Sequence, residues 1–244
     1  MKYRKTLYEN YHTTQSGRAS LTDAKSLFLR EKVRFSKEIL PELPKNKSAK
    51  IFDFGCGSGS MLSVCQDNGY EQSTGMDLSQ EQVDMAKYFE VKGVKHGDAL
   101  LYLKETKAKY DIILGMDIIE HFTKDELVEL LIALRGCLTP NGKLIIRTPN
   151  LDAPFATVFA NGDFTHENYM NVSSAQQVMM ACGFQNVSVN ASDMSIDNPI
   201  KELIRRFAFW ELKILYKWQL FATGRSTRDV LFSPNMIIIA QNGK

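Results

Sequence analysis

The chain has 244 residues, enough for one large domain or two small ones and for burying roughly 70–75% of its unfolded surface. Thirty Lys and Arg against 28 Asp and Glu leave a net charge of +2, which argues against a protein held to nucleic acid by its overall field. A composition of 44% hydrophobic and 24% charged residues is that of a soluble globular chain and excludes a disordered one.

In chain order, the opening MKYRKTLYENYH carries basic residues with no apolar core behind them, so it does not read as a secretory signal. Residues 21–40 are amphipathic with helical spacing and stop at Pro41 and Pro44. Short apolar runs then alternate with longer amphipathic segments. The runs are 50–54, 73–78, 110–117, 142–148, 187–192 and 235–240, and helix-like periodicity fills 58–68, 80–91, 124–138 and 173–182. Ser79 and Gln82 have capping-box spacing ahead of the second of these helices, and Pro140-Asn141-Gly142 reads as a turn between the third helix and the next strand. Such alternation, with strands apolar on both faces, predicts an α/β doubly wound, Rossmann-like sheet. Residues 1–48 and 193–234 fall outside the rhythm and read as substrate-side additions to one domain, 1–244, whose core is 49–192 and whose last strand lies in 235–244. No run approaches the ~18–20 apolar residues of a membrane span. Cys56, Cys65, Cys137 and Cys182 form no CxxC pair and have no His at zinc spacing, so a reduced, cytoplasmic protein without structural metal is expected.

The sharpest local signal is Asp53-Phe54-Gly55-Cys56-Gly57-Ser58-Gly59, directly after the first strand and opening a helix. Glycines there allow a tight turn and close approach of backbone amides to a ligand. Ser60 occupies the place where a dinucleotide fingerprint wants its third glycine, which argues against a nicotinamide cofactor. Asp77 ends the second strand, where a carboxylate can accept both hydroxyls of a ribose. The loop therefore faces a nucleoside.

These features resemble the class I S-adenosylmethionine-dependent methyltransferases, through most of residues 49–192. The resemblance implies a seven-stranded sheet whose last strand is antiparallel and inserted beside the sixth. It implies S-adenosylmethionine as cofactor, S-adenosylhomocysteine as product, and a methionine cradle at Asp53, Gly55, Cys56, Gly57 and Gly59. It further implies a ribose contact at Asp77 and an adenine contact at Leu78. Gly97-Asp98-Ala99 resembles the family's third motif, whose Asp bonds the adenine amino group. Met116-Asp117-Ile118-Ile119-Glu120-His121-Phe122 resembles the fourth, where the sheet opens onto the transferred methyl. His12 and His96 are not read as catalytic, although His12 with Tyr8 and Tyr11 could close over the cofactor.

Methyl transfer to a hydroxyl needs an aligned acceptor and a proton acceptor. His121, at the carboxyl edge of the fourth strand, is one candidate base; the alternative is that it only shapes the cofactor pocket. His166, in Asp163-Phe164-Thr165-His166-Glu167-Asn168, is the other, as base or donor, against a plain solvated loop histidine. Asp117, Glu120 and His121 also form a D-x-x-E-H cluster resembling the metal-supporting E-x-x-E-H of ubiquinone-type O-methyltransferases, with the shorter Asp in place of Glu; no metal ligand is assigned.

The acceptor is less legible. In 200–221, Leu203, Phe207, Trp210, Ile214, Trp218 and Phe221 recur in steps of three and four, flanked by Lys201, Arg205, Arg206, Lys213 and Lys217. That stripe suits packing on the sheet or a second subunit, or contact with a membrane surface at its inner face. The EHF segment, the Thr148-Pro149-Asn150 turn and the basic-aromatic insertion together resemble bacterial methyltransferases that O-methylate sugars of surface glycans or glycolipids. The alternatives are a small-molecule O- or N-methyltransferase, of a quinone or secondary metabolite, and an inactive cofactor-binding relative. RNA is not an expected partner, and either a monomer or a homodimer is compatible with the stripe.

Overall fold

The computed structural model describes Leu7 and residues 21–243, apart from residues 197, 227 and 229. In chain order the elements are α1 (Leu21–Glu38), β1 (Ile51–Phe54), α2 (Ser60–Asp67), β2 (Ser73–Asp77), α3 (Gln80–Tyr88), β3 (Val94–His96), α4 (Ala99–Glu105) and β4 (Tyr110–Met116). They continue with α5 (Lys124–Cys137), β5 (Leu138–Pro149), α6 (Ala156–Ala160), α7 (Val172–Ala181), β6 (Phe184–Ala191), α8 (Pro199–Ala222) and β7 (Asn235–Asn242). Single 3-10 turns lie at Leu40–Glu42 and Ile119–His121.

The central strands are apolar on alternate residues in both directions, so each face of the sheet buries a separate core. On one face Leu127, Leu130, Leu131 and Leu134 of α5 pack on Ile113, Ile146 and Ile238. On the other, Phe35 and Ile39 from the end of α1, with Met61 and Val64 of α2, pack on Ile112, Leu114 and Ile145. The seven strands run in the order β3-β2-β1-β4-β5-β7-β6. β1 to β5 pair in parallel, while β7 pairs antiparallel with both β5 and β6. The Rossmann-like sheet with an inserted antiparallel last strand is therefore as expected.

Three details depart from the sequence reading. The turn at Pro140-Asn141-Gly142 does not precede the strand but interrupts it. Tyr110 pairs with Leu138 and Ile112 with Lys143, so residues 139–142 bulge out of the ladder, with Asn141 at φ 64°. Ser79 caps α3 through the Gln82 N–H at 3.5 Å, but reciprocal boxes form elsewhere, between Thr123 and Glu126 at the start of α5 and between Asn171 and Ser174 at the start of α7. β3, α4 and α6 had no clear signal: β3 has three residues, two of them exposed, and the others are one or two turns long.

Candidate active site

Parallel strands end at one edge of the sheet, and there the chain must turn into helices. After β1 the turn is made by the glycine loop. Gly59 caps α2 at φ 80°, and a Cβ there would lie 2.9 Å from Val91 Cγ1, so the protein itself requires glycine. Gly57, at φ 53°, is different: a Cβ would meet nothing nearer than Gln82 Oε1 at 3.9 Å, and its backbone faces open space. The loop is tied to β2. Gly55 and Cys56 N–H groups donate to the Met76 carbonyl at 2.8 and 3.2 Å, and Gly57 N–H donates to Asp77 Oδ2 at 2.8 Å. Ser79 N–H donates to the other Asp77 oxygen at 2.8 Å.

That open space is a cavity of about 510 Å³, within the roughly 300–1,000 Å³ of small-molecule sites. Asp53, Gly55, Cys56 and Gly57 line it from β1, with Asp77 and Leu78 from β2. Asp98 and Ala99 line it from the start of α4, and Met116 and His121 from the end of β4. Gly59 and His166 do not reach it. Asp53 is 1% exposed and its Oδ1 has no hydrogen-bond partner among the described residues. Burial, then the nearby Asp77 carboxylate, push its carboxyl well above the usual range. Burial also raises Asp77, opposed by the N–H groups of Ser79 and Gly57. Asp98 caps α4, Oδ1 accepting from Leu100 and Leu101 N–H at 2.8 and 3.1 Å. Phe28 of α1 stacks on Phe89 at 4.2 Å, closing another wall. An unpartnered buried carboxylate, an amide strand with no side chain over it and an apolar wall together fit a cationic nucleoside ligand.

At the end of β4, Asp117 takes φ 53°, and its N–H donates to the Arg147 carbonyl at 2.8 Å. This sharp exit carries the 3-10 turn of Glu120 and His121. Thr165 donates its hydroxyl to Asp163 Oδ1 at 2.6 Å, so at 2.8 Å it accepts from His121 Nδ1–H. Burial, then His166, depress the His121 imidazole to about 4, against the opposing pull of Asp163. Glu120 accepts from the Thr148 hydroxyl at 2.9 Å and is pushed up to about 8, first by burial and then by Asp117. Its carbonyl accepts from Glu167 and Asn168 N–H at 2.8 and 3.0 Å, which brings the loop of His166 against the turn. His166 Nδ1–H donates to the Ala160 carbonyl at 2.7 Å, and its ring lies 4.8 Å from that of His121.

The D-x-x-E-H cluster is rearranged. Asp117 turns to Arg147, with Arg34 3.9 Å away, while Glu120, His121 and His166 each offer a ligand atom within 4.8 Å of one another. These three residues, not Asp117, are the donor set a divalent ion would find among the described residues. The sequence reading also missed an ionic seam beneath the cavity. Arg147, buried in β5, lies 3.3 Å from Glu38 and pairs with Asp117, and Glu31 of α1 bonds Ser60 at the cavity wall. Its signals were an arginine inside the apolar run LIIRTP and Glu31, Arg34 and Glu38 at helical spacing. Tyr8, Tyr11 and His12 lie outside the described residues.

A family profile described as a methyltransferase domain matches residues 27–189. A SAM-dependent methyltransferase from Archaeoglobus fulgidus superposes with a TM-score of 0.67 at 20% identity, over 96% of this chain and 99% of that one. Magnesium protoporphyrin IX methyltransferase from Synechocystis with bound SAH gives 0.59 at 14% identity, over 98% of this chain and 100% of that one. Phosphoethanolamine N-methyltransferase 2 of Haemonchus contortus, in complex with S-adenosyl-L-methionine, gives 0.61 at 14% identity, over 97% of this chain and 60% of that one. At these identities the likeness is one of fold. No curated protein matches by sequence.

Proposed function

The chain belongs to the methyltransferase domain family, and from that premise we propose that it moves the methyl group of S-adenosylmethionine onto a sugar hydroxyl of a surface glycan or glycolipid. The observation that carries the reading is one cavity bounded both by the buried, unpartnered Asp53 beside an open glycine loop and by the buried imidazole of His121. The structural neighbours solved with SAM or SAH share this fold and support the same cofactor.

Bound there, S-adenosylmethionine supplies an electrophilic methyl group on a positively charged sulfur. Asp53 would be the carboxylate that meets the ligand's positive charge, and Gly57 would let the backbone approach it. Asp77, already fixed by Gly57 and Ser79, presents its remaining lone pairs to the ribose hydroxyls. Leu78 would lie against the adenine, and Asp98 Oδ2 would accept from its amino group. On the acceptor side, Thr165 holds His121 with Nδ1 protonated, so that Nε2 takes the acceptor's proton as the new bond forms. A base in this position suits an oxygen acceptor, since an amine can attack without one. A sugar is favoured by the resemblance of the Glu120-His121-Phe122 segment, the Thr148-Pro149-Asn150 turn and the 193–234 insertion to glycan methyltransferases. The neighbours act on a porphyrin and on phosphoethanolamine, so the fold does not select among acceptors.

The test supplies methyl-labelled S-adenosylmethionine and purified protein to cell extract separated into lipid-linked glycan, small-molecule and RNA fractions. Label in the glycan fraction is expected. Label confined to small molecules would replace the sugar with a quinone or secondary metabolite. Cofactor binding with no transfer anywhere would mark an inactive relative.

A further inference from the structure

α8 has 24 residues, and not one of them is buried. Its inner face rests on the molecule: Phe209, Leu212, Tyr216 and Leu220 are half-covered, with the Tyr216 ring edge-on to Phe232 at 5.8 Å. The opposite face carries Leu203, Phe207, Trp210, Ile214, Trp218 and Phe221, all exposed, Trp218 at 66% and Phe221 at 72%. A surface helix ordinarily spends one apolar stripe on its own protein and shows water a polar one. α8 has a second apolar stripe turned outward, larger and more aromatic than the first, which marks a surface that meets something else.

Charge decides what that is. At 100° per residue, exposed Arg206 and Lys217 border one side of the outer stripe, exposed Glu211, Ile204 and Leu215 lie on the other, and exposed Arg225 and Arg228 follow just beyond the helix. Of the two acids on the helix, Glu202 is held by Arg205 at 2.6 and 2.7 Å, which leaves Glu211 alone against this rim. A second copy is a poor occupant. An antiparallel two-fold pairing sets the Arg206–Lys217 border against itself, and a parallel one offers its cations a single acid, Glu211. Neither supplies an acid for each cation of the rim. An anionic lipid surface supplies acids everywhere, and Trp and Phe suit the boundary between headgroups and acyl chains. No helix among the described residues is long and apolar enough to cross a membrane, so α8 lies on the surface.

The helix is also placed at the working edge of the sheet. Before it, Ser192 donates to Glu38 at 2.6 Å and Lys37 to Ser195 at 3.2 Å; after it, the Asn150 amide donates to the Leu231 and Ser233 carbonyls, both at 2.9 Å. Both ends are thus fastened where β5 and β6 finish, the edge on which the cavity lies.

We propose that α8 docks the protein on anionic membrane surfaces through its outer aromatic stripe and basic rim. This goes beyond the reading of the acceptor and holds whatever that acceptor is. The chain has two tryptophans, Trp210 and Trp218, both on the outer stripe, so intrinsic fluorescence reports on this face alone. The full chain would be mixed with vesicles of phosphatidylcholine and of phosphatidylcholine with phosphatidylglycerol. Expected are co-sedimentation with the anionic vesicles, a blue-shifted tryptophan emission, and weakening by salt. Arg206→Gln and Lys217→Gln should each reduce vesicle affinity by roughly fivefold. Trp218→Glu should reduce it by roughly tenfold or more while leaving the circular dichroism spectrum unchanged, since the side chain is exposed. Equal or absent binding to both vesicle types would overturn the proposal. So would a concentration-dependent dimer in sedimentation that blue-shifts the tryptophans without lipid, which would assign the stripe to a second copy.

Discussion

His121 is neutral because it is buried beside a second imidazole, and its orientation is set by a threonine whose proton is committed to Asp163. An ordinary histidine loses half its basic form near pH 6.5. Here turnover should stay level from pH 8 to 6 on account of this group and fall only as pH approaches about 4, where the ring takes a proton; a kcat–pH profile checks it. Stability carries the same sign. The unfolded chain protonates this ring below about 6.5 and the folded one does not until about 4, so stability drains as pH falls through that window, by up to about 3 kcal/mol. His121→Ala should leave cofactor affinity within a few-fold and cut kcat by ~10²–10⁴. Turnover near that of the parent would move the role to His166. Asp77→Ala should weaken cofactor binding by roughly 1–3 kcal/mol in calorimetry, because two amides and the ribose lose one acceptor. Chelation of divalent ions should leave the rate of a base-driven transfer unchanged; a rate lost and restored by added metal would make Glu120, His121 and His166 ligands instead. At this scale the sequence was legible where the candidate residues lie on one short segment. Asp53 lies in β1, Asp77 ends β2 and His121 follows β4, three strands that periodicity alone identifies. Thr165 and Asp163 were not legible, because 44 residues separate Thr165 from the ring it holds and nothing local marks the pairing.

Elements with an apolar pattern were found to within a few residues, and those built by context were not. β3 has no pattern to find, since it takes its place only by pairing with β2 at the sheet's edge. The bulge at 139–142 shows the opposite error: Pro-Asn-Gly is a correct turn signal, but the ladder resumes on both sides of it. Asn150 illustrates how one buried side chain can fix an element's position. Its amide satisfies two carbonyls of the segment returning from α8, and its N–H donates to Pro234 at 2.9 Å. Asn150→Ala orphans those carbonyls and should cost roughly 1–3 kcal/mol. Thermal melts of the variant should show it, together with a larger rise in amide exchange in 231–235 than in the rest of β7 after Asn235.

Across the molecule, the parallel sheet with helices on both faces followed from the alternation of strands and helices, and the inserted β7 came with the family resemblance. The ionic seam could not be anticipated, since Glu38, Arg147 and Asp117 come from three distant elements that only the folded sheet brings together. The same holds for the balance of charge inside the cavity, where Asp53 has no cation of its own among the described residues. A carboxyl whose proton affinity is raised by burial becomes an acid again when a cation arrives beside it. Ligand capture is therefore coupled to the solvent: in the pH range where the free carboxyl keeps its proton, binding expels that proton, and affinity rises with pH. The heat of binding should then differ between buffers of low and high ionisation enthalpy, and the difference should vanish in Asp53→Asn.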